Sequence, residues 1–131
     1  MMIISLLKQL IGDIKMRMLI TGSRDYKDKE IIIDAIEKYL GNEYIEDVII
    51  IEGGARGADR IAQQHALDMG YIVETYPANW DKYGKKAGSI RNQEMVDSGA
   101  DICLAFPLEG SIGTYDCIRR AKKSGIETII I

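Results

Sequence analysis

One histidine, one tryptophan, one phenylalanine, two prolines and two cysteines are all that this chain has of those residues. The shortages exclude whole classes of chemistry. Cys103 and Cys117 make no disulfide framework, and with a lone histidine they make no zinc site either. Cys103 stands in an apolar run and reads as a small buried hydrophobe. No metal and no cofactor is therefore expected. The apolar stretch MMIISLLKQLI at the amino end is too short to span a bilayer. No basic segment precedes it and no small-residue cleavage site follows, so it does not read as a secretory signal. A cytoplasmic protein without membrane contact is the expectation. The net charge of −3 offers no general attraction to DNA, RNA or anionic lipid. Nucleic acid is accordingly not the expected partner. Positive charge is local: Lys82, Lys85, Lys86 and Arg91 crowd one loop, while Arg119, Arg120, Lys122 and Lys123 read as a solvated helix face.

What is present suits one globular unit. The 131 residues, 47% of them hydrophobic, are enough for one continuous core. Residues 16–131 form the expected domain. Residues 1–15 read either as an extension ahead of Met16 or as a short amphipathic helix, with Ile3, Leu6, Leu7, Leu10 and Ile14 on one face. Such a face would pack on the domain or on a second subunit, and a homodimer or higher homo-oligomer is expected.

From Met16 onward, strand and helix patterns alternate. Strands are expected at 17–20, 47–51, 71–76, 101–106 and 127–131, and helices at 28–40, 57–69, 89–97 and 112–124. The run DVIII at 47–51 suits a strand covered on both faces. Residues 77–88 form a loop longer than most such connections, which marks it as functional. The alternation predicts an α/β fold: a Rossmann-like, doubly wound, five-stranded parallel sheet in the order 3-2-1-4-5.

In such sheets ligands bind beyond the carboxyl ends of the strands. Three turns there carry glycine or hydroxyl residues: Gly22-Ser23-Arg24-Asp25, Gly53 to Asp59, and Pro107 to Thr114. Glycine lets backbone approach a ligand closely, and a helix start presents unpaired N–H groups that favour an anion. Gly53, Gly54 and Gly57, and then Gly110, Ser111, Gly113 and Thr114, are candidate phosphate cradles. Arg24, Arg56 and Arg91 are the expected neutralising charges, although a surface ion pair is the other reading of Arg91. Trp80 and Tyr83 either stack on a base or cover the core. His65, on an apolar helix stripe, reads as a satisfied, half-buried histidine.

The segments Gly53-Gly54-Ala55-Arg56-Gly57-Ala58-Asp59, Tyr76-Pro77-Ala78-Asn79-Trp80, Gly88-Ser89-Ile90-Arg91-Asn92-Gln93, and Phe106-Pro107 followed by Gly113-Thr114 occur in that order. Together they resemble the YspA-like group of the SLOG superfamily, named for the Smf/DprA and LOG proteins, over about residues 16–131. Many members of that group occur in phages and mobile elements. The resemblance implies a nucleotide or ADP-ribose-derived ligand, sensed or sequestered as a signal. LOG proteins are phosphoribohydrolases, which cut the base from a nucleoside monophosphate. Against their pattern Arg91 matches an arginine and Asn92 stands where a lysine is usual. Cys117 occupies the place of the glutamate, and Asp116 lies one residue early. One residue along a helix is a rotation of about 100°, so the Asp116 carboxylate is expected to point away from the site. The resemblance thus keeps the phosphate cradle and loses the acid–base pair. If the chain were a hydrolase, Asp116 and Arg91 would be its candidate catalytic residues, with Glu109 or Asp59 as alternative acids. The motif Gly54 to Asp59 is also similar to DprA, which binds single-stranded DNA, a role the acidic balance argues against.

Overall fold

The computed structural model describes residues 15–131, together with Ile3 and Leu6. Ile3 and Leu6 are helical and exposed, and the rest of the expected amphipathic helix lies outside the described residues. Five parallel strands form one sheet in the order β3-β2-β1-β4-β5. They are β1 (Met16–Gly22), β2 (Val48–Glu52), β3 (Ile72–Thr75), β4 (Ile102–Phe106) and β5 (Glu127–Ile130). The helices are α1 (Lys29–Leu40), α2 (Ala58–Met69), α3 (Trp80–Tyr83), α4 (Ala87–Asp97) and α5 (Ile112–Lys123). The doubly wound architecture read from the sequence is the one observed.

The cause is visible in the strands. Every residue of β2 (VIIIE) and β4 (ICLAF) is buried, as befits strands sandwiched between helix layers. One core joins Met18, Ile20, Ile50, Leu104 and Phe106 to α1 and α2. The other joins Leu19, Ile49, Ile51 and Cys103 to α4 and α5. Successive side chains of β1 thus feed opposite layers. The helices stop where the sequence says they should: Asp28 caps α1 by accepting the Ile31 N–H at 3.3 Å, and Gly70 closes α2 in the left-handed conformation.

Several boundaries differ from expectation. β1 runs to Gly22 because its pairing with β4 continues through Thr21–Ala105 and Gly22–Phe106. β3 is shorter, since the Tyr71 N–H is taken by the Ala66 carbonyl of α2. The 77–88 segment is no irregular loop. Asn79 caps the short helix α3 by accepting the Lys82 N–H at 3.1 Å. A 3-10 turn over Gly84–Lys86 then runs into α4, which starts two residues earlier than predicted. A second 3-10 turn, Ile45–Asp47, precedes β2. Among the described residues no helix is long and apolar enough to cross a membrane. Nor do they hold any group of three or more potential ligands placed to bind a metal.

Candidate functional site

The strand order reverses between β1 and β4, and a cleft of about 620 Å³ opens above that point. The turn after β1 supplies Gly22, Ser23 and Arg24; the β2–α2 segment supplies Arg56 and Asp59. Trp80 comes from α3, and Arg91 and Asn92 come from α4. The β4–α5 turn supplies Gly110, Ser111, Gly113 and Thr114, with Asp116 one turn further on. Gly53 and Gly54 line an adjoining lobe of about 330 Å³, which shares Arg24, Arg56, Trp80 and Arg91 with the main cleft. Two expected residues stand outside. Tyr83 lines a separate cavity between its own segment and α4, and Gly57 lines neither lobe.

Gly57 has a structural duty instead. Its φ is +80°, and a Cβ there would overlap the Ser23 carbonyl oxygen and come within 2.5 Å of the Arg24 oxygen. Only glycine lets the start of α2 pack against the turn after β1, where Ala58 N–H donates to Ser23 O at 3.2 Å.

The β2–α2 turn departs further from the sequence reading. Three of its N–H groups are already satisfied by carboxylates. Asp59 Oδ2 accepts from Gly53 N at 3.1 Å and from Ala55 N at 3.3 Å, and Glu52 Oε1 accepts from Gly54 N at 2.6 Å. Glu52 is wholly buried and Asp59 nearly so. Of the expected phosphate cradle on Gly53 to Gly57, the Gly53, Gly54 and Ala55 donors are therefore spent inside the fold. Arg91 seals it from the cleft side. Its Nη1 donates to Gly53 O at 2.7 Å, and a Cβ on Gly53 would overlap that nitrogen. Burial pushes the Asp59 carboxyl up to about 7, against the pull of Arg91 and with the help of Glu52.

The β4–α5 turn is open. Ser111 N–H and Ile112 N–H donate to the carbonyls of Leu108 and Gly110. The Ser111 hydroxyl accepts from Leu108 N–H and does not cap α5, and no other side chain does so among the described residues. Gly113 and Thr114, in the first turn of α5, have no helical carbonyl to meet, and both face the cleft. The partial positive charge of this helix end therefore faces the cleft.

Asp116 corrects another expectation. It lines the cleft rather than pointing away, while Cys117 is buried against the sheet with Cys103. The reason is the stripe of α5: Thr114, Cys117, Ile118 and Ala121 are its buried residues, which turns positions 116 and 120 toward α4. Burial alone would raise the Asp116 carboxyl. Hydrogen bonds from Arg120 Nε at 2.9 Å and Asn92 Nδ2 at 3.0 Å, with the charge of Arg119, outweigh it and hold the group below the usual carboxylate range.

Asn92 is a brace. Its Oδ1 accepts from Arg91 Nε at 3.0 Å, while its Nδ2 donates to Gly113 O at 3.1 Å and to Asp116. Arg91 and Asn92 thus tie the closed turn to the open one. Expected as a ligand contact, Asn92 has both ends of its amide occupied within the fold. Sequence reasoning missed Ser89 and Met95 in the cleft lining. Their three-residue spacing on either side of Asn92 is the helical signal that would have found them. His65 lies elsewhere, its Nε2 paired with Glu37 at 2.9 Å.

Residues 16–83, half of the chain, match the family described as YspA, cpYpsA-related SLOG. The chain is also 48% identical over 118 residues to the Gene 61 protein of Mycobacterium phage D29, an alignment covering 86% of this chain and 94% of that protein. No solved structure matches it.

Proposed function

The chain belongs to the YspA, cpYpsA-related SLOG family, and from that premise and the cleft we propose that it binds a phosphorylated nucleotide, ADP-ribose derivatives included. The observation that carries this reading is the uncapped start of α5, opening into a cleft that also holds Arg24 and Trp80. A phosphoryl group sits on the Gly113 and Thr114 N–H groups. Trp80, half exposed and stacked under the Arg24 guanidinium at 5.7 Å, offers its free face to the base. The ligand is held and not consumed, which suits a protein that senses or sequesters a nucleotide signal. The phage relative fits such a role. The test is mass spectrometry of small molecules released from purified, heat-denatured protein, with thermal shift of the ligand-free protein by the same compounds. No phosphorylated compound released, and no shift by any nucleotide, would remove the proposal.

A second reading, nucleotide hydrolysis at the N-glycosidic bond, is favoured by one pairing. Asp116, held ionised, and Asp59, pushed up to about 7, line the same cleft. Two carboxyls driven apart in acidity suit a charge stabiliser and a proton donor. Asp59 is nearly buried and already accepts two backbone hydrogen bonds, so binding without cleavage remains the preferred reading.

A further inference from the structure

Resting on the nucleotide reading, we infer that the ligand carries two phosphoryl groups separated by a nucleoside, one for each lobe of the cleft. The main lobe is electrostatically mixed. Arg24, Arg56, Lys85, Arg91 and Arg119 meet Asp25, Asp59, Glu109 and Asp116 there. The side lobe is not mixed: Arg24, Arg56 and Arg91 line it with Trp80, Pro77, Ala78 and the backbone of 53–55, and no acidic residue does among the described residues.

These three cations are available. Arg24 has no carboxylate within salt-bridge distance among the described residues and rests on the Trp80 ring. Arg56 meets Asp25 only at 3.4 Å, with both side chains largely exposed, a pairing that contributes little. Arg91 spends Nε and Nη1 on the fold, and its Nη2 makes no hydrogen bond among the described residues. An anion in the side lobe is therefore met by guanidinium groups, since the Gly53, Gly54 and Ala55 N–H groups already donate to Asp59 and Glu52.

Topology sets the spacing of the two seats. The open turn follows β4 and the side lobe borders the turn after β2, with β1 between them. Two strand spacings are roughly 10 Å. Adjacent phosphoryl groups of a diphosphate share a bridging oxygen and fall far short of that span, whereas groups on either side of a nucleoside stand further apart, and the long arginine side chains of the side lobe reach toward the second of them. Trp80 stands in the lining of both lobes, where the intervening base would stack.

The experiment is calorimetric titration of the full chain with adenosine 5′-monophosphate, adenosine 5′-diphosphate, ADP-ribose and adenosine 3′,5′-bisphosphate, and with the guanosine counterparts of the mono-, di- and bisphosphate. The bisphosphate of one series should bind at least about tenfold more tightly than its mono- and diphosphate partners, one added charge-assisted contact. Ala78→Asp places a carboxylate in the lining of the side lobe alone and should bring that ratio close to one. A diphosphate or ADP-ribose binding as well as the bisphosphate would overturn the inference while leaving nucleotide binding intact, as would a ratio unchanged in Ala78→Asp. Failure of every compound to bind would overturn both.

Discussion

Replacing Gly53 with alanine tests whether Arg91 is the clamp that closes the β2–α2 turn. The φ of Gly53 is not positive, so alanine can adopt its backbone without strain. The obstacle is Arg91 itself: the new Cβ would overlap Nη1 and lie 2.7 Å from Cζ, with Asp59 Oδ2 next at 3.0 Å. The guanidinium must leave, and with it the 2.7 Å bond to Gly53 O. A hydrogen bond from a charged group is worth about 1.5–3 kcal/mol, which is the expected cost of Gly53→Ala. Arg91→Ala should cost about the same, plus a smaller amount for releasing Asn92. The double variant decides the matter. Once the guanidinium is gone the Cβ has room, so Gly53→Ala/Arg91→Ala should be only as unstable as Arg91→Ala. The two losses should then fall short of additivity by about 2 kcal/mol in urea denaturation at neutral pH. Losses that add within about 0.5 kcal/mol would show that the two residues act independently, and the clamp would be refuted.

Asp59 predicts a pH dependence with a definite sign. Burial raises it from the ordinary 3.8 to about 7, so between those values the folded chain holds a proton that the unfolded chain has released, and stability falls as pH rises. The urea midpoint should drop across that window in the wild type and flatten in Asp59→Asn; parallel profiles would refute the assignment. Asp116 and Glu74, both held low, act in the opposite sense only at acid pH, so the difference between the two profiles isolates Asp59. Self-association, expected from the size of the domain and its apolar amino-terminal segment, predicts a homodimer or larger assembly by light scattering at micromolar concentration. A monomer there would remove that proposal.

The fold was legible because its signals are redundant. Buried β-branched runs mark β2 and β4, glycines end the helices, and alternation with helices leaves parallel pairing as the economical solution. The rim was legible too: glycine turns after β1, β2 and β4 must share one side of a parallel sheet. What the sequence hid were contacts made at a distance. That Asp59 turns back to Gly53 and Ala55 depends on the tight β2–α2 connection, which periodicity cannot measure. That Asp116 faces the cleft depends on which stripe of α5 meets the sheet. The rotation between positions 116 and 117 was read correctly, but with its zero set on the wrong residue. The helix within 77–88 was missed because its single turn is too short to show a period, although Asn79 is a recognisable cap.

The two glycine-bearing turns share little sequence, but one position decides which of them is filled. Asp59 is the second residue of α2, after the cap Gly57, and Gly113 is the second residue of α5, after the cap Ser111. One turn carries its own carboxyl group at that place and the other carries none. Gly113→Asp would therefore convert the open turn into the closed kind. A Cβ at Gly113 meets nothing within 4 Å and its φ is not positive, so the fold can accept the change. Losing a helical glycine and gaining a carboxylate at the positive end of α5 should each favour the folded state, together by about 0.5–1.5 kcal/mol. The same carboxylate occupies the phosphoryl seat and should abolish nucleotide binding. Stability and affinity then move in opposite directions, which general damage to the domain cannot imitate. Circular dichroism melting and calorimetric titration of the one variant read both. A variant that melts lower would count against an uncapped, uncrowded helix start. A variant that is more stable and still binds nucleotide would place the phosphoryl group elsewhere in the cleft.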